Sequence, residues 1–190
     1  MFNQNVVFFK CIREFIEGKT TKEDIENFEN EYNIKLTEDF KEFLINYNGV
    51  LLDGYYEINN LKYILFNKYL ENTENGASDF EVFEDLPQII GTMKEYLGNE
   101  ELSNRIDLVK NEKILPIIRD MSANGDIGIG YGKDNFGKMF VWGISPFEGV
   151  EFLCNSFREF IEGYYLTKID EIDEETGEPI GEKIYTLEGV

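Results

Sequence analysis

The chain has 190 residues, of which 42% are hydrophobic and 15% aromatic, and its 38 acidic and 18 basic residues give a net charge of −20. This composition is typical of a globular chain with a sizeable core and excludes a disordered one. The charge repels the phosphates of nucleic acid and of anionic lipid, so we expect neither a nucleic-acid nor a membrane partner, although acidity also serves solubility. The absence of histidine excludes Ser–His and Cys–His catalysis and removes the commonest metal ligand.

The cysteines and the N-terminal residues indicate where the protein acts. Cys11 and Cys154 are too few and too far apart in sequence for a disulfide framework, so we expect free, buried thiols in a reducing compartment. The first apolar run ends at Lys10, before a signal peptide would be complete, and no later run has the length of a membrane span. The expected location is therefore the cytoplasm.

The first predicted element is an N-terminal helix over residues 5–17. Apolar residues approximate a helical stripe there, and Gly18 supplies a stop. The stripe consists of Val6, Phe9, Ile12 and Ile16. We expect this helix to dock on the core of a single domain.

Two amphipathic helices follow, each with a predicted cap. Thr20 is followed three positions later by Glu23, which is the pattern of a capping box, and apolar residues then recur at helical spacing as far as Tyr32. Thr37 is predicted to cap the next helix, which ends at Asn48. Its buried face is predicted to consist of Phe40, Phe43, Leu44 and Tyr47.

The pattern changes to extended runs between residues 50 and 66, which predicts strands at the start of a sheet. Residues 67–79 are polar and are predicted to form an exposed loop. A helix is then predicted from Asp85 to Gly98, and a shorter helix over residues 100–108. The residues predicted to face inward from these helices are Leu86, Ile90, Met93, Leu97, Leu102, Ile106 and Val109.

Three apolar runs between residues 114 and 144 predict the central antiparallel sheet. One face of the middle strand carries almost no side chains, because every second residue is glycine. These glycines are Gly128, Gly130 and Gly132. Either a helix, such as the one over residues 37–47, packs unusually close to them, or they floor a groove that a partner enters. We favour close packing, because it requires nothing beyond the fold.

Two turns in this region imitate ligand-binding loops. Residues 132–138 have the G-x-x-x-x-G-K spacing of a phosphate-binding loop, but Met139 replaces the required Ser or Thr, and a strand pattern follows in place of a helix. Residues 120–127 resemble the start of a calcium loop, but Tyr131 stands where a bidentate glutamate is required. We therefore interpret both as turns between strands and expect no cofactor and no dedicated metal site.

The chain ends with a predicted strand, a helix and an acidic tail. Residues 150–154 predict the strand, and Ser156 with Glu159 forms a capping box that opens the helix. Residues 167–190 form the tail, which is predicted to be either a solvent-exposed hairpin or disordered. From Lys168 onward, eight carboxylates face two lysines.

Five short motifs follow one another in a fairly specific order. They are IKLTEDFKEFL at residues 34–44, YNG at 47–49, LPI at 115–117, FVW at 140–142 and SFREF at 156–160. Their order and spacing over residues 21–165 resemble the SUKH superfamily, specifically the branch that includes the yeast cell-wall assembly regulators and many bacterial immunity proteins. The chain departs from shorter members by its N-terminal helix, an insertion over residues 67–111 and the acidic tail.

The resemblance implies a single α+β domain over residues 1–166, in which helices pack on a mainly antiparallel sheet, and it implies binding in place of catalysis. Bacterial members of the superfamily commonly neutralise toxins from competing cells, many of them nucleases. The implied function is an immunity protein that neutralises a cognate basic toxin, expected to be a nuclease, by acidic surface complementarity. The alternative is a non-enzymatic regulatory or scaffolding protein of the cell-wall-regulator type.

No residue carries over from the family as catalytic, and the carboxylates show no acid/base constellation, so we expect no enzyme. The predicted partner-binding residues mix aromatic anchors with acids near a turn, although the tyrosines are equally compatible with plain strand positions. They are Asp53, Tyr55, Tyr56 and Glu57, with Glu81, Glu84 and Asp85 as a second choice. We expect a monomer or a weak homodimer.

Overall fold

The structure is a computed structural model that describes residues 2–71, 73, 82–98, 103–119, 125–143, 149–169, 171–172 and 179–187. The helices in these residues are α1 (Val7–Lys10), α2 (Lys22–Tyr32), α3 (Glu38–Tyr47), α4 (Leu86–Gly98), α5 (Ser103–Lys110) and α6 (Phe157–Glu162). The strands are β1 (Ile12–Phe15), β2 (Val50–Leu52), β3 (Tyr55–Ile58), β4 (Leu61–Asn67), β5 (Val82–Phe83), β6 (Ile114–Arg119), β7 (Gly125–Gly130), β8 (Met139–Gly143), β9 (Glu151–Cys154), β10 (Tyr164–Lys168), β11 (Glu171–Ile172), β12 (Pro179–Ile180) and β13 (Lys183–Ile184). In these ranges no helix has both the length and the apolar character needed to cross a bilayer.

Two multi-stranded antiparallel sheets and the helices packed on them make an α+β fold, as predicted, and β11 with β12 forms a third sheet of only two strands. The larger sheet has the strand order β1-β2-β5-β6-β7-β8-β9, and the smaller sheet has the order β13-β10-β4-β3. The three apolar runs predicted as the central sheet are β6, β7 and β8, and they pair antiparallel within the larger sheet. The prediction of a hairpin turn over residues 132–138 is also confirmed, since this segment links β7 to β8.

The prediction that all strands of residues 50–66 begin one sheet is wrong. β2 lies in the larger sheet, where β1 and β5 occupy both of its edges. Because β2 has no free edge, the chain turns away at Gly54, whose carbonyl accepts a hydrogen bond from the Leu65 N–H at 2.9 Å. β3 and β4 then pair with each other, and β4 pairs with β10 in the smaller sheet. Residues 67–111, predicted as an insertion, contribute β5 to the interior of the larger sheet.

The predicted helix over residues 5–17 is also wrong. The chain forms a single helical turn, α1, followed by strand β1, which pairs with β2. The reason lies in the apolar run itself, because the consecutive residues Val6, Val7 and Phe8 are all buried. Such a run surrounds a helix instead of lining one side of it, so no solvent-facing side exists for a longer amphipathic helix. The following residues extend along the edge of β2.

The helix predicted after Thr20 is α2, but its cap lies one residue later than predicted. Thr21 accepts a hydrogen bond from the Asp24 N–H at 3.2 Å and donates its own N–H to the Asp24 carboxylate at 2.8 Å. The Thr20 hydroxyl instead donates to the side-chain oxygen of Asn48 at 2.7 Å, in a buried contact. Thr20 therefore ties the start of α2 to the end of α3 and is not available as a cap.

The predicted buried face of α3 is confirmed at Phe40, Phe43 and Leu44, whereas Tyr47 is only partly buried. Ser156 caps α6 by accepting a hydrogen bond from the Glu159 N–H at 3.1 Å. The buried residues of the two helices are Phe40, Phe43, Leu44, Phe157, Phe160 and Ile161. Their rings meet in the core, where the ring centroid of Phe43 lies 5.1 Å from that of Phe157 and 5.8 Å from that of Phe83 in β5. Helices α3 and α6 and the larger sheet therefore share one aromatic core.

Helix α4 begins after Asp85 and ends at Gly98, as predicted, but it is rotated relative to the prediction. Its buried residues are Leu86, Ile89, Thr92, Met93 and Tyr96. Ile90 and Leu97, predicted to face inward, are only partly buried. In α5 the predicted burial of Val109 is confirmed, whereas the side chains of Leu102 and Ile106 lie outside the described part of the structure.

Neither explanation offered for the glycines of β7 is right. Gly128 and Gly130 are buried, so they do not floor an open groove. A Cβ added at Gly128 would lie 2.6 Å from Ile114 Cγ2 and 2.8 Å from Trp142 Cη2. A Cβ at Gly130 would meet the backbone of Asn135 in the turn between β7 and β8. The glycines therefore make room for neighbouring strands and for the hairpin turn, and not for helix α3.

The described part of the tail continues the smaller sheet. β10 runs through Lys168, past the predicted domain boundary at residue 166, and pairs with β13. β11 and β12 pair antiparallel, as in the hairpin alternative. The tail is therefore continuous with the sheet that carries β3.

Candidate binding surface

Strand β3 is an edge strand of the smaller sheet, and its side chains alternate between solvent and core. Tyr55 is 72% exposed and Glu57 is also exposed, whereas Tyr56 and Ile58 are partly buried. In the described part of this sheet β3 pairs only with β4, which places Ile64 opposite Tyr55 and Lys62 opposite Glu57. The strand thus presents an aromatic ring and a carboxylate to solvent.

Tyr56, which the sequence placed in the same predicted site, has an internal role. Its hydroxyl donates a hydrogen bond to the Cys11 carbonyl and accepts one from the Asp53 N–H at 3.0 Å. Burial is the main cause of the raised pKa of Tyr56. These contacts join β3 to the N-terminal segment, so Tyr56 is not free to contact a partner. Of the four predicted residues, Tyr55 and Glu57 are exposed and Asp53 is half-buried.

A row of aromatic side chains crosses the smaller sheet from β4 to β13, in which Phe66 is partly buried, Tyr165 is 2% exposed and Tyr185 is exposed. Phe66 stacks on Tyr165 with ring centroids 5.9 Å apart, and Tyr165 lies 5.1 Å from Tyr185, which is 44% exposed. Lys183 lies over the Tyr165 ring at 4.7 Å and forms an ion pair with Glu71 at 3.1 Å. We call this surface the outer sheet face. Its exposed residues are Tyr55, Glu57, Lys62 and Tyr185, and Ile64 and Phe66 are partly buried among them.

Strand alternation in residues 61–66 was the signal that could have found Ile64 and Phe66, because every second residue of a strand shares one face. Tyr185 carried no such signal. It joins this surface only because β10 pairs with both β4 and β13, and the pairing with β4 links residues about a hundred positions apart in sequence.

The second-choice residues lie mostly inside the protein. Glu81 lies outside the described residues. Glu84 is 5% exposed and Asp85 is 7% exposed. Asp85 accepts a hydrogen bond from the Gln88 N–H at 2.9 Å, and the Gln88 side chain accepts one from the Asp85 N–H at 3.0 Å, so the pair caps α4.

Glu84 belongs to a buried polar cluster beneath α4. Its carboxylate accepts a hydrogen bond from the Thr92 hydroxyl at 3.1 Å and lies 3.1 Å from the Arg119 guanidinium. Desolvation raises the pKa of Glu84 to about 7, against the opposing effect of Arg119. Tyr96 donates a hydrogen bond to the nearby carboxylate of Asp126. The cluster connects α4 to the larger sheet.

The described residues offer few groups for catalysis. Burial raises the pKa of both Cys11 and Cys154 to about 12, so both thiols are protonated at neutral pH. Glu84 and Asp126 line neither of the two described grooves. In the part of the chain that the structure describes, no cluster of three or more acidic or cysteine side chains is arranged to hold a metal ion.

Two surface grooves lie beside helix α2. The first, of about 370 Å³, is bounded by the segment before α2, by α2 itself and by the start of α4. Its charged residues are Glu17, Lys19, Asp24, Glu31 and Asp85, and we call it the acidic groove. The second, of about 470 Å³, lies between α2 and α3. Its charged residues are Lys22, Glu26, Glu38, Lys41 and Glu42.

Comparison with known protein families gives one match. The model of the SMI1 / KNR4 family (SUKH-1) matches residues 19–163, which is most of the chain and includes all five motifs noted in the sequence. No curated protein and no solved structure shows significant similarity to the chain.

Proposed function

Because the chain belongs to the SMI1 / KNR4 family (SUKH-1), we propose that it is a non-enzymatic binding protein, and more narrowly an immunity protein that neutralises a cognate bacterial toxin. The family match is the observation that carries this proposal. A binding role also agrees with a sequence that has no histidine and with the buried, internally bonded positions of Glu84 and of both thiols.

The proposed toxin is a basic nuclease. A net charge of −20 attracts a cationic protein and accelerates its encounter. A nuclease groove that binds phosphates is itself basic, so an acidic protein competes with nucleic acid for it. The proposed place of action is the cytoplasm, where such a toxin meets its substrate.

The proposed contact surface is the outer sheet face. Exposed tyrosine is among the residues that interfaces favour, and Tyr55 is the most exposed large hydrophobic residue described. Charged groups surround the aromatic row, with Glu57 and Lys62 on one side and Glu71 and Lys183 on the other. The described part of the tail joins this sheet through β13, which places Lys183 beside the face.

Co-purification with the toxin encoded beside the gene tests the proposal. We expect a stable complex at low salt, weaker binding at high salt and protection of cells that make the toxin. Tyr55→Ala should weaken binding by about tenfold or more if Tyr55 is an anchor. Phe136→Ala is the matched control, since Phe136 is an exposed aromatic residue in the turn of the other sheet. No complex at low salt and no protection would overturn the proposal.

A regulatory or scaffolding role is the second candidate, since the matching family is described by its SMI1 and KNR4 members as well as by SUKH-1. Gene neighbourhood separates the two roles. A toxin gene alongside favours immunity, whereas an isolated locus favours regulation of a housekeeping partner.

A further inference from the structure

Strand β3 has one free backbone edge in the described part of the smaller sheet, since β4 is its only neighbour there. Asn59 and Asn60, both with positive φ, form the two-residue turn that leads the chain back into β4. Hydrogen bonds across an antiparallel pair alternate along the strand. Every second residue of β3 therefore directs its N–H and carbonyl away from β4, toward the free edge.

A hydrogen bond at the start of β3 determines which residues face β4. The Leu65 N–H donates to the Gly54 carbonyl at 2.9 Å, immediately before the strand begins. Because the bonds recur at every second residue, Tyr56 and Ile58 direct their backbone groups to β4 as Gly54 does. The residues between them face the other way.

Tyr55 and Glu57 are the residues whose backbone groups point to the free edge. A second hydrogen bond agrees with this assignment, because Lys62, which lies opposite Glu57, directs its carbonyl to the Ile169 N–H at 2.8 Å and so away from β3. Tyr55 and Glu57 each present one N–H and one carbonyl at the edge. Their side chains are exposed as well.

The other edge strands of the two larger sheets are less suited to pairing with an added strand. β1 and β9 each pair with their neighbour through a register shift. Such irregularities bend a strand and hinder pairing on its outer side. β13 has only two residues. The pairing of β3 with β4 is regular over its whole length, so among the described edges β3 is the most suitable.

The side chains at this edge favour a basic strand. Glu57 and the ring of Tyr55, which is 72% exposed, lie two positions apart and therefore on the same face. A strand laid along β3 places two of its own side chains opposite them. A lysine or arginine complements Glu57, and an apolar side chain complements Tyr55. A second copy of this chain is disfavoured, because each copy carries a net charge of −20 and like charges repel.

We propose that a basic protein partner adds an extended strand to β3, with backbone hydrogen bonds to Tyr55 and Glu57. This proposal rests on the proposed function in one respect, since it takes the partner to be a basic protein. The backbone of the added strand supplies affinity, and its side chains opposite Tyr55 and Glu57 supply specificity. Tyr55 then contributes its backbone as well as its ring to recognition.

A disulfide-closed β-hairpin peptide, one strand of which presents lysine and valine two positions apart, tests strand addition without any toxin. It is added to the isotopically labelled full chain at low salt, and amide shifts and hydrogen exchange are followed by NMR. In the free chain the amides of Tyr55 and Glu57 should exchange rapidly and that of Tyr56 slowly. The peptide should cause saturable shifts at Tyr55 and Glu57 and slow their exchange.

The matched probe is the same peptide with its outward N–H groups methylated. It keeps the charge and the side chains of the first peptide but lacks the donors that would bond to the carbonyls of Tyr55 and Glu57. We expect it to cause neither saturable shifts nor slower exchange.

Two variants at Glu57 separate the charge from the backbone. Glu57→Thr removes the carboxylate but keeps the N–H, and it should weaken peptide binding about two- to fivefold. Glu57→Pro also removes the outward N–H and should weaken binding about tenfold further. Proline is tolerated where the N–H of an edge strand faces solvent, so we expect both variants to fold, which circular dichroism verifies. If proline unfolds the chain, the methylated peptide makes the same comparison.

Strand addition is overturned if the amides of Tyr55 and Glu57 are already protected in the free chain, if the peptide causes no saturable shifts, or if the methylated peptide binds as well as the unmodified one. Equal affinities of Glu57→Thr and Glu57→Pro overturn it too. These results leave the proposed function intact, because no toxin takes part. Conversely, failure to co-purify a toxin refutes the proposed function without affecting the peptide titration.

Discussion

The Asp39 carboxylate accepts a hydrogen bond from the backbone N–H of Arg158 at 2.9 Å, which joins the first turn of α3 to the first turn of α6 across 119 residues of sequence. The N–H groups in the first turn of a helix have no partner within the helix. Ser156 satisfies one such group in α6, and Asp39 satisfies another. Two of the five motifs in the sequence are therefore in direct contact, which explains why they occur together.

Loss of this contact is expected to destabilise the protein. Asp39→Ala should lower the free energy of unfolding by about 1–2 kcal/mol, because a helix N–H loses its acceptor. Asp39→Asn keeps an acceptor oxygen and should lose less. Urea denaturation monitored by circular dichroism measures both changes. Glu38→Ala is the control, since the Glu38 side chain is 92% exposed and its ion pair with Lys41 should contribute at most about 0.5 kcal/mol. Equal losses at Asp39 and Glu38 would contradict the capping role.

Gly128 is expected to tolerate no side chain. Gly128→Ala should lower the free energy of unfolding by about 1–3 kcal/mol, because the added methyl group would overlap the Leu115 carbonyl oxygen as well as Ile114 and Trp142. Thermal denaturation measures the change. Gly91→Ala provides the opposite sign in the same chain, since nothing lies within 4 Å of a Cβ there and Gly91 is exposed in helix α4. Alanine at that position should stabilise the protein by about 0.5–1 kcal/mol. A neutral Gly128→Ala would contradict this close packing, because the Leu115 carbonyl oxygen, 2.7 Å from the added Cβ, belongs to the backbone of β6 and cannot turn aside as a side chain can.

The sequence predicted those elements whose signals are local. Helices α2, α3 and α6 each combine a polar residue at the N-terminus with apolar residues at helical spacing, and β6, β7 and β8 are apolar runs between turns. The predicted cap of α3 is nevertheless wrong in detail, because Thr37 stands at the N-cap position but its side chain makes no capping hydrogen bond. The division into two sheets was not predictable in this way. It depends on β1 and β5 occupying both edges of β2, and β1 itself was expected to be helical.

Local signals in the sequence were also insufficient to predict the candidate site. Alternation predicts that Tyr55 and Tyr56 point to opposite faces, but it does not tell which of them lies inside. Tyr56 is the one that lies inside, because Cys11 is placed so that its carbonyl accepts a hydrogen bond from the Tyr56 hydroxyl. Likewise, Glu84 has the composition of a surface residue and is buried only because α4 packs above it.

Glu84 is expected to make stability depend on pH. Its pKa is raised from the usual value near 4.5 to about 7 in the folded protein, mainly by desolvation, so the folded state holds the proton more tightly than the unfolded state. The contribution of Glu84 is therefore favourable below pH 4.5, is lost as the pH rises to about 7 and stays constant above that. Arg119 and Thr92 oppose the shift, whereas Asp126 and Asp85 add to it.

Glu84→Gln removes this titration and keeps the size of the side chain. Urea denaturation between pH 5 and pH 8 should show that the natural protein loses roughly 1–3 kcal/mol more than the variant over this range. The comparison of slopes cancels the other titrating groups, which both proteins share. Glu95→Gln, at an exposed position of α4, should keep the slope of the natural protein. Parallel pH profiles for Glu84→Gln and the natural protein would refute the raised pKa.

Substitutions at Tyr55 are expected to affect binding, and substitutions at Tyr56 are expected to affect stability. Tyr56→Phe should lower the free energy of unfolding by about 1 kcal/mol, because its hydroxyl bonds to Cys11 and Asp53 inside the protein. Tyr55→Phe should leave stability unchanged, since the Tyr55 side chain is mostly exposed. Chemical denaturation measures both effects, and calorimetric titration with the cognate toxin measures affinity. Tyr55→Ala should weaken the complex while Tyr56→Phe leaves it intact. The reverse outcome, with affinity lost only at Tyr56, would move the binding surface away from the outer sheet face and toward the N-terminal segment that Tyr56 contacts.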